Sequence, residues 1–106
     1  MLPAPLDPVR FAETAGQLAS NLSLLASAPR LMILCRLSEA GEMSVGALAQ
    51  SLGLSQSALS QHLARLREAG LLATTRERQS VRYRIADPRV LRLMETLYSL
   101  YCIGDS

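Results

Sequence analysis

A chain of 106 residues has room for one domain and one modest core. Apolar residues make up 49% and charged residues 19%, which excludes a disordered or fibrous protein, and with 4% aromatics and no Trp the core must be aliphatic. The formal charge of +2 says little, but its distribution says more: Lys is absent, so all 11 basic residues are Arg. Four of them, Arg76, Arg78, Arg82 and Arg84, crowd one short stretch beside the single acid Glu77. Genome composition accounts for missing Lys, not for the crowding. The planar Arg fork donates two parallel hydrogen bonds suited to phosphate and to guanine edges.

Residues 1–8 contain Pro3, Pro5 and Pro8 and no basic export-signal region, and no apolar run approaches a membrane span. A flexible tail is expected over 1–8, a single domain over 9–106, and a cytoplasmic location with no membrane partner. A structural disulfide is not expected in that compartment. Phe11, Ala15, Leu18, Leu22 and Leu25 recur at helical steps and predict a first helix over 9–26. Pro29 restarts the chain, as proline does in a first turn, and Leu31, Leu34 and Leu37 form the stripe of a second helix closing near Gly41. Cys35 borders that stripe.

Ser44 is placed to cap a short third helix ended by Gly53, and Ser55 to cap a fourth that runs to Ala69, with Gly70 as terminator. Two short helices joined by a tight Gly-containing turn form a helix-turn-helix over 44–70. The period then changes. Residues 71–75 are β-prone, 76–80 read as a hairpin tip, and Val81, Tyr83 and Ile85 alternate with Arg82 and Arg84 as a half-buried strand. Asp87 and Pro88 open a last helix over 88–102 that is apolar around most of its circumference and needs cover on more than one side. The expected architecture is mainly α with a small β-hairpin: a winged helix-turn-helix of about five helices and a two-stranded antiparallel wing, dimerising through its first and last helices.

With Leu59, Leu63 and Leu66 turned inward, the fourth helix presents Gln56, Ser57, Ser60, Gln61 and Ala64 outward. Gln pairs with adenine edges, Ser serves either a base or a phosphate, and small side chains let a helix sit deep in the major groove. Ser55, Arg65 and Arg67 are placed for the flanking backbone, and Arg76, Arg78 and Arg82 for a wing beside it. His62 fits either a phosphate contact or a packed position beside Leu59 and Leu63. A solvated polar face explains an isolated helix equally well; the Arg-loaded hairpin that follows favours double-stranded DNA. The other class left open is a winged-helix protein-interaction module. With one His and no phosphate loop, metal-ligand cluster or nucleophile–base pairing, neither an enzyme nor a cofactor is expected.

The text LSQSALSQHLARLREAGLL, residues 54–72, resembles the helix-turn-helix signature of ArsR/SmtB-type bacterial repressors. That resemblance spans about residues 18–102 and implies a five-helix winged fold, a homodimer, and operator binding released by an inducer. The Gly common in the family's hairpin tip is absent. Metal-sensing relatives place thiolates at the start of the third helix or paired Asp and His ligands on the last; this chain has Ser44, Gly46 and a lone His62, so no metal site is expected. Cys35 and Cys102 resemble the cysteine pair of the persulfide-sensing BigR/SqrR subgroup. The resemblance implies that a sulfur bridge between them lowers DNA affinity, with reactive sulfur species as inducer. Oxidants or arsenite acting on the same thiols are the alternative inducers, and plain packing of buried cysteines stays open on the residues alone.

Overall fold

Side-chain oxygens and prolines set where the helices begin. The structure, a computed structural model, describes residues 7–101. Helix α1 (Pro8–Leu25) starts behind Asp7, whose Oδ1 accepts from the Val9 and Arg10 N–H groups. Asp7 and Pro8 therefore belong to this helix start and not to a tail, and residues 1–6 lie outside the described residues. Helices α2 (Ala28–Ala40), α3 (Val45–Leu52) and α4 (Gln56–Glu68) begin behind Ser27, Ser44 and Ser55, whose hydroxyls accept from the N–H groups of Arg30, Ala47 and Ala58. Each cap satisfies a donor that the helix itself leaves open. Asp87 does the same for α5 (Pro88–Tyr101), accepting from the Arg89 N–H at 2.9 Å. The Arg89 side chain beside it also holds the Asp87 carboxyl below its ordinary value. Stability from this site is present above the ordinary carboxylate range and is lost as pH falls through the lowered value.

Glycines close the helix-turn-helix. Gly53 and Gly70 take φ of +67° and +81°, a region where a Cβ is disfavoured. At Gly70 the N–H bonds the Arg67 carbonyl and that of Leu71 bonds the Leu66 carbonyl, the pairing of a Schellman cap. The cap aims the chain out of α4 and into the wing, with Leu71 buried against the core.

The wing has one strand more than expected. Strands β1 (Met43–Ser44), β2 (Leu72–Glu77) and β3 (Ser80–Ile85) form an antiparallel sheet in the order β1-β3-β2. Met43 pairs with Tyr83 and Ser44 with Arg82, tying the start of α3 to the wing. Two residues are too few to show a period, which is why β1 is invisible in the sequence. The hairpin is also longer than expected: Arg76, Glu77 and Ser80 are paired, so only Arg78 and Gln79 turn. Arg78 has φ +60°, the conformation for which a tip Gly would be the usual choice.

The core is aliphatic. Ile33, Leu34 and Leu37 of α2 pack with Leu48, Leu59, Leu63, Leu66, Leu71, Leu72, Val90 and Met94, and no polar side chain is buried among the described residues. Helix α1 buries only Leu25 in it, with Leu24 packed at its edge; Val9 and Phe11 are 66% and 54% exposed.

Because a Cβ at Gly70 meets open space, Gly70→Ala isolates the backbone cost of a positive φ. The expected loss is about 1 kcal/mol, a fall of roughly 4–8 °C in thermal midpoint by calorimetry.

Candidate nucleic-acid interface and thiol cleft

At 100° per residue, the buried row Leu59, Leu63 and Leu66 fixes the opposite face of α4 as Ser57, Gln61 and Ala64, with Glu68 at its far end. Gln56 and Ser60 lie on one shoulder, His62 and Arg65 on the other. Gln56, Ser57, Ser60, Gln61 and Arg65 are all exposed. Ser55 is exposed too, but its hydroxyl accepts from the Ala58 N–H at 3.1 Å, so its first task is capping. The lone acid of α4 stands at its C-terminal end, leaving the N-terminal half, where backbone N–H groups favour an anion, free of negative side chains.

The four wing arginines do not form one patch. Residues directly across an antiparallel pair share a face. The pairs Thr75–Arg82 and Ala73–Arg84 put Arg82 and Arg84 on the outer face, whereas Arg76 pairs with Val81, on the face that carries Tyr83 and Ile85 into the core. Arg78 sits in the turn itself. All four are exposed, so the hairpin tip carries charge on both sides rather than on one. The outer face is also partly neutralised, since Arg82 Nε lies 3.9 Å from the Glu42 carboxylate.

His62 is half-buried and engaged. Its Nδ1 accepts from Arg30 Nε at 3.3 Å, and Arg30 Nη1 donates to the Leu24 carbonyl at 3.0 Å. Neither Arg30 nor Glu42 was conspicuous in the sequence. Arg30 lies 32 positions from His62, and its only local signal was a charge in the first turn of its helix.

Cys35 is half-buried on α2, at a cleft of about 220 Å³ that it shares with Ser38, Glu39, Met94, Glu95 and Tyr98. The cleft therefore joins α2 to α5. The Arg36 guanidinium is taken up by Ser51 at 2.7 Å and Glu39 at 3.1 Å. Cys102 lies outside the described residues, four positions past Tyr98 in sequence. Among the described residues no three His, Cys, Asp or Glu side chains converge as a metal site would require.

Residues 29–74 match the profile of the family described as bacterial regulatory protein, arsR family. The biofilm growth-associated repressor of Agrobacterium fabrum is 44% identical over 91 residues, 86% of this chain and 77% of that one. The transcriptional activator HlyU of Vibrio cholerae is 42% identical over 99 residues, 93% and 91% of the two chains. The chain belongs to the ArsR family. Its fold matches the structure of reduced V. cholerae HlyU with a TM-score of 0.82 at 43% identity, covering 88% of this chain and 97% of that one. It matches the repressor BigR of Xylella fastidiosa with a TM-score of 0.81 at 34% identity, covering 93% and 100%. These relatives are transcriptional regulators, not enzymes, and the fold is the winged helix-turn-helix of ArsR proteins.

In an ArsR protein the Glu42–Arg82 pair sets a carboxylate beside a wing cation. Glu42→Gln is expected to raise affinity for operator DNA about two- to fivefold, the scale of one exposed ion pair, and to steepen its salt dependence in fluorescence anisotropy. A fall in affinity would instead show that Glu42 holds Arg82 in its binding position.

Proposed function

We propose that this chain is a homodimeric repressor that holds a roughly palindromic operator while Cys35 and Cys102 are reduced, and releases it when reactive sulfur joins them. The observation that carries the DNA reading is the acid-free, exposed N-terminal half of α4, capped by Ser55 and set beside an Arg-bearing hairpin. In this reading Gln56, Ser57, Ser60 and Gln61 meet base edges, while Ser55, His62, Arg65, Arg76, Arg78 and Arg82 meet the backbone. The relatives carry opposite signs in their names, repressor and activator, and share the role of transcriptional regulator. The reading places the protein in the cytoplasm with DNA; no single helix among the described residues is long and apolar enough to cross a membrane.

The dimer rests on surface that the protomer leaves uncovered. Val9, Phe11, Leu18 and Leu22 of α1 and Tyr98, Leu100 and Tyr101 of α5 are exposed. A mycobacterial relative solved in solution, 31% identical with a TM-score of 0.75, is a homodimer. Apolar area of this extent is normally buried between subunits.

The switch rests on the α2–α5 cleft. A bridge from Cys35 to a cysteine four positions past Tyr98 would fix the helix that carries the dimer surface against the helix at the centre of the core. Two thiols and one hydrogen polysulfide of three or more sulfurs give a bridge with at least one inserted sulfur and two molecules of hydrogen sulfide, the polysulfide being the oxidant. The bridge lowers affinity only to the extent that bridged and reduced forms differ in their fit to DNA.

Operator binding should weaken steeply with salt, roughly a thousandfold or more between about 50 and 200 mM for six to ten phosphate contacts. A flat salt response would point to a protein-interaction module. After treatment with a polysulfide, intact-mass measurement should show the loss of two thiols with added sulfur, and Cys35→Ser should keep its grip on DNA. A bare loss of two hydrogens would identify a plain oxidant switch, an arsenic adduct after arsenite a metalloid one, and release of DNA by treated Cys35→Ser would sink the thiol mechanism.

A further inference from the structure

Arg30 stands where three helices meet. Its backbone N–H is capped by Ser27 in the first turn of α2, which fixes the residue at its root. Its Nη1 donates to the carbonyl of Leu24, near the end of α1 where carbonyls lack helical partners. Its Nε donates to Nδ1 of His62 on α4. One planar guanidinium thus ties the α1 end and the α2 start to the shoulder of α4 that carries His62 and Arg65.

The bond to His62 has a chemical consequence. Arg does not lose its proton in proteins, so its Nε can only donate, and Nδ1 must offer a lone pair. A neutral imidazole with a bare Nδ1 carries its proton on Nε2. Held so, the half-buried ring has one remaining polar atom, and that atom is a donor. A donor on the shoulder of a groove-entering helix suits a phosphate oxygen, which only accepts.

We propose that Arg30 is a positioning residue for operator binding: it locks His62 in the Nε2–H form and orients that N–H to donate to a DNA phosphate. The proposal rests on the DNA reading above and adds to it the state of the ring and the residue that sets it. Arg30 does not itself touch DNA in this account. Its long stem and fork act through the imidazole, which is why a lysine, a point charge without the fork, is a poor substitute.

The chain has a single histidine, so its imidazole nitrogens can be observed without assignment. In nitrogen-15 spectra near pH 8, the wild type should show one bare nitrogen, Nδ1, and one protonated, Nε2. Arg30→Met should move both signals toward the tautomer mixture of free imidazole. On DNA, His62→Ala should weaken operator binding about two- to tenfold per half-site, the scale of one hydrogen bond, and leave the salt slope nearly unchanged, because a neutral ring releases no counterion. Arg30→Met should weaken it to a similar extent, and Arg30→Met with His62→Ala should be no weaker than His62→Ala alone. Additive losses, or an Arg30→Met variant with unchanged spectrum and unchanged affinity, would overturn the proposal. Should Arg30→Met fail to fold, the comparison of His62→Gln with His62→Ala decides. The Gln amide places a donor near the Nε2 position and needs no tautomer lock, so near-wild-type binding supports the proposal and binding as weak as His62→Ala refutes it. A wild-type chain that binds no DNA would remove the parent reading together with this one, whereas wild-type binding with a neutral Arg30→Met removes this one alone.

Discussion

Helix α2 is the constraint on which the rest of the molecule depends. Its Ile33, Leu34 and Leu37 are at most 1% exposed, and the helix packs against α1, α3, α5 and β3. Each such side chain is worth about 1.5–3 kcal/mol when fully buried, a large fraction of the total stability of a domain this size. With no buried polar side chain among the described residues, the core itself is held by close packing, and a packed aliphatic core resists small shifts. The two residues with distinctive chemistry, Arg30 and Cys35, sit on this one helix. Arg30 reaches forward to α4, and Cys35 faces α5. The reading head and the proposed sensor therefore share a scaffold but occupy different sides of it.

Features written within a few residues were legible in the sequence. Ser44 and Ser55 as caps, Gly53 and Gly70 as terminators, and the inward row of α4 depend on local backbone chemistry, which local text specifies. Features made by distant parts of the chain were not. Strand β1 exists only because β3 comes to lie beside Met43 and Ser44. The hydrogen bond to His62 was invisible because its donor, Arg30, lies 32 positions away. The wing arginines looked like one cluster because sequence distance ignores the pleat, and the register divides them. The wing tip was misjudged for a different reason: Arg78 takes a backbone conformation that composition would assign to glycine.

Helix α1 shows how far a protomer of this size falls short of covering its own apolar surface. It is 18 residues long, yet only Leu25 is buried. In proteins most helical stability comes from packing an apolar face rather than from intrinsic propensity, and in the protomer α1 has little of it. The proposed dimer supplies that packing and joins it to function. The surface it covers extends to Tyr98, which also lines the Cys35 cleft. A change at the thiols would then reach the spacing of the two reading heads through a single helix.

Net charge turns out to be a poor guide to this interface. The chain carries only +2, but its acids are spent unevenly. Glu39, Glu42 and Asp87 pair with Arg36, Arg82 and Arg89, whereas Arg65, Arg67, Arg76, Arg78 and Arg84 have no ion pair among the described residues. Those five lie on α4 and the wing. Charges more than about 8–10 Å apart are largely screened at physiological ionic strength, so a distant acid does little to cancel them. What a phosphate backbone meets is the local surplus, and the fold concentrates that surplus on the wing and on α4, whose N-terminal half carries no acid.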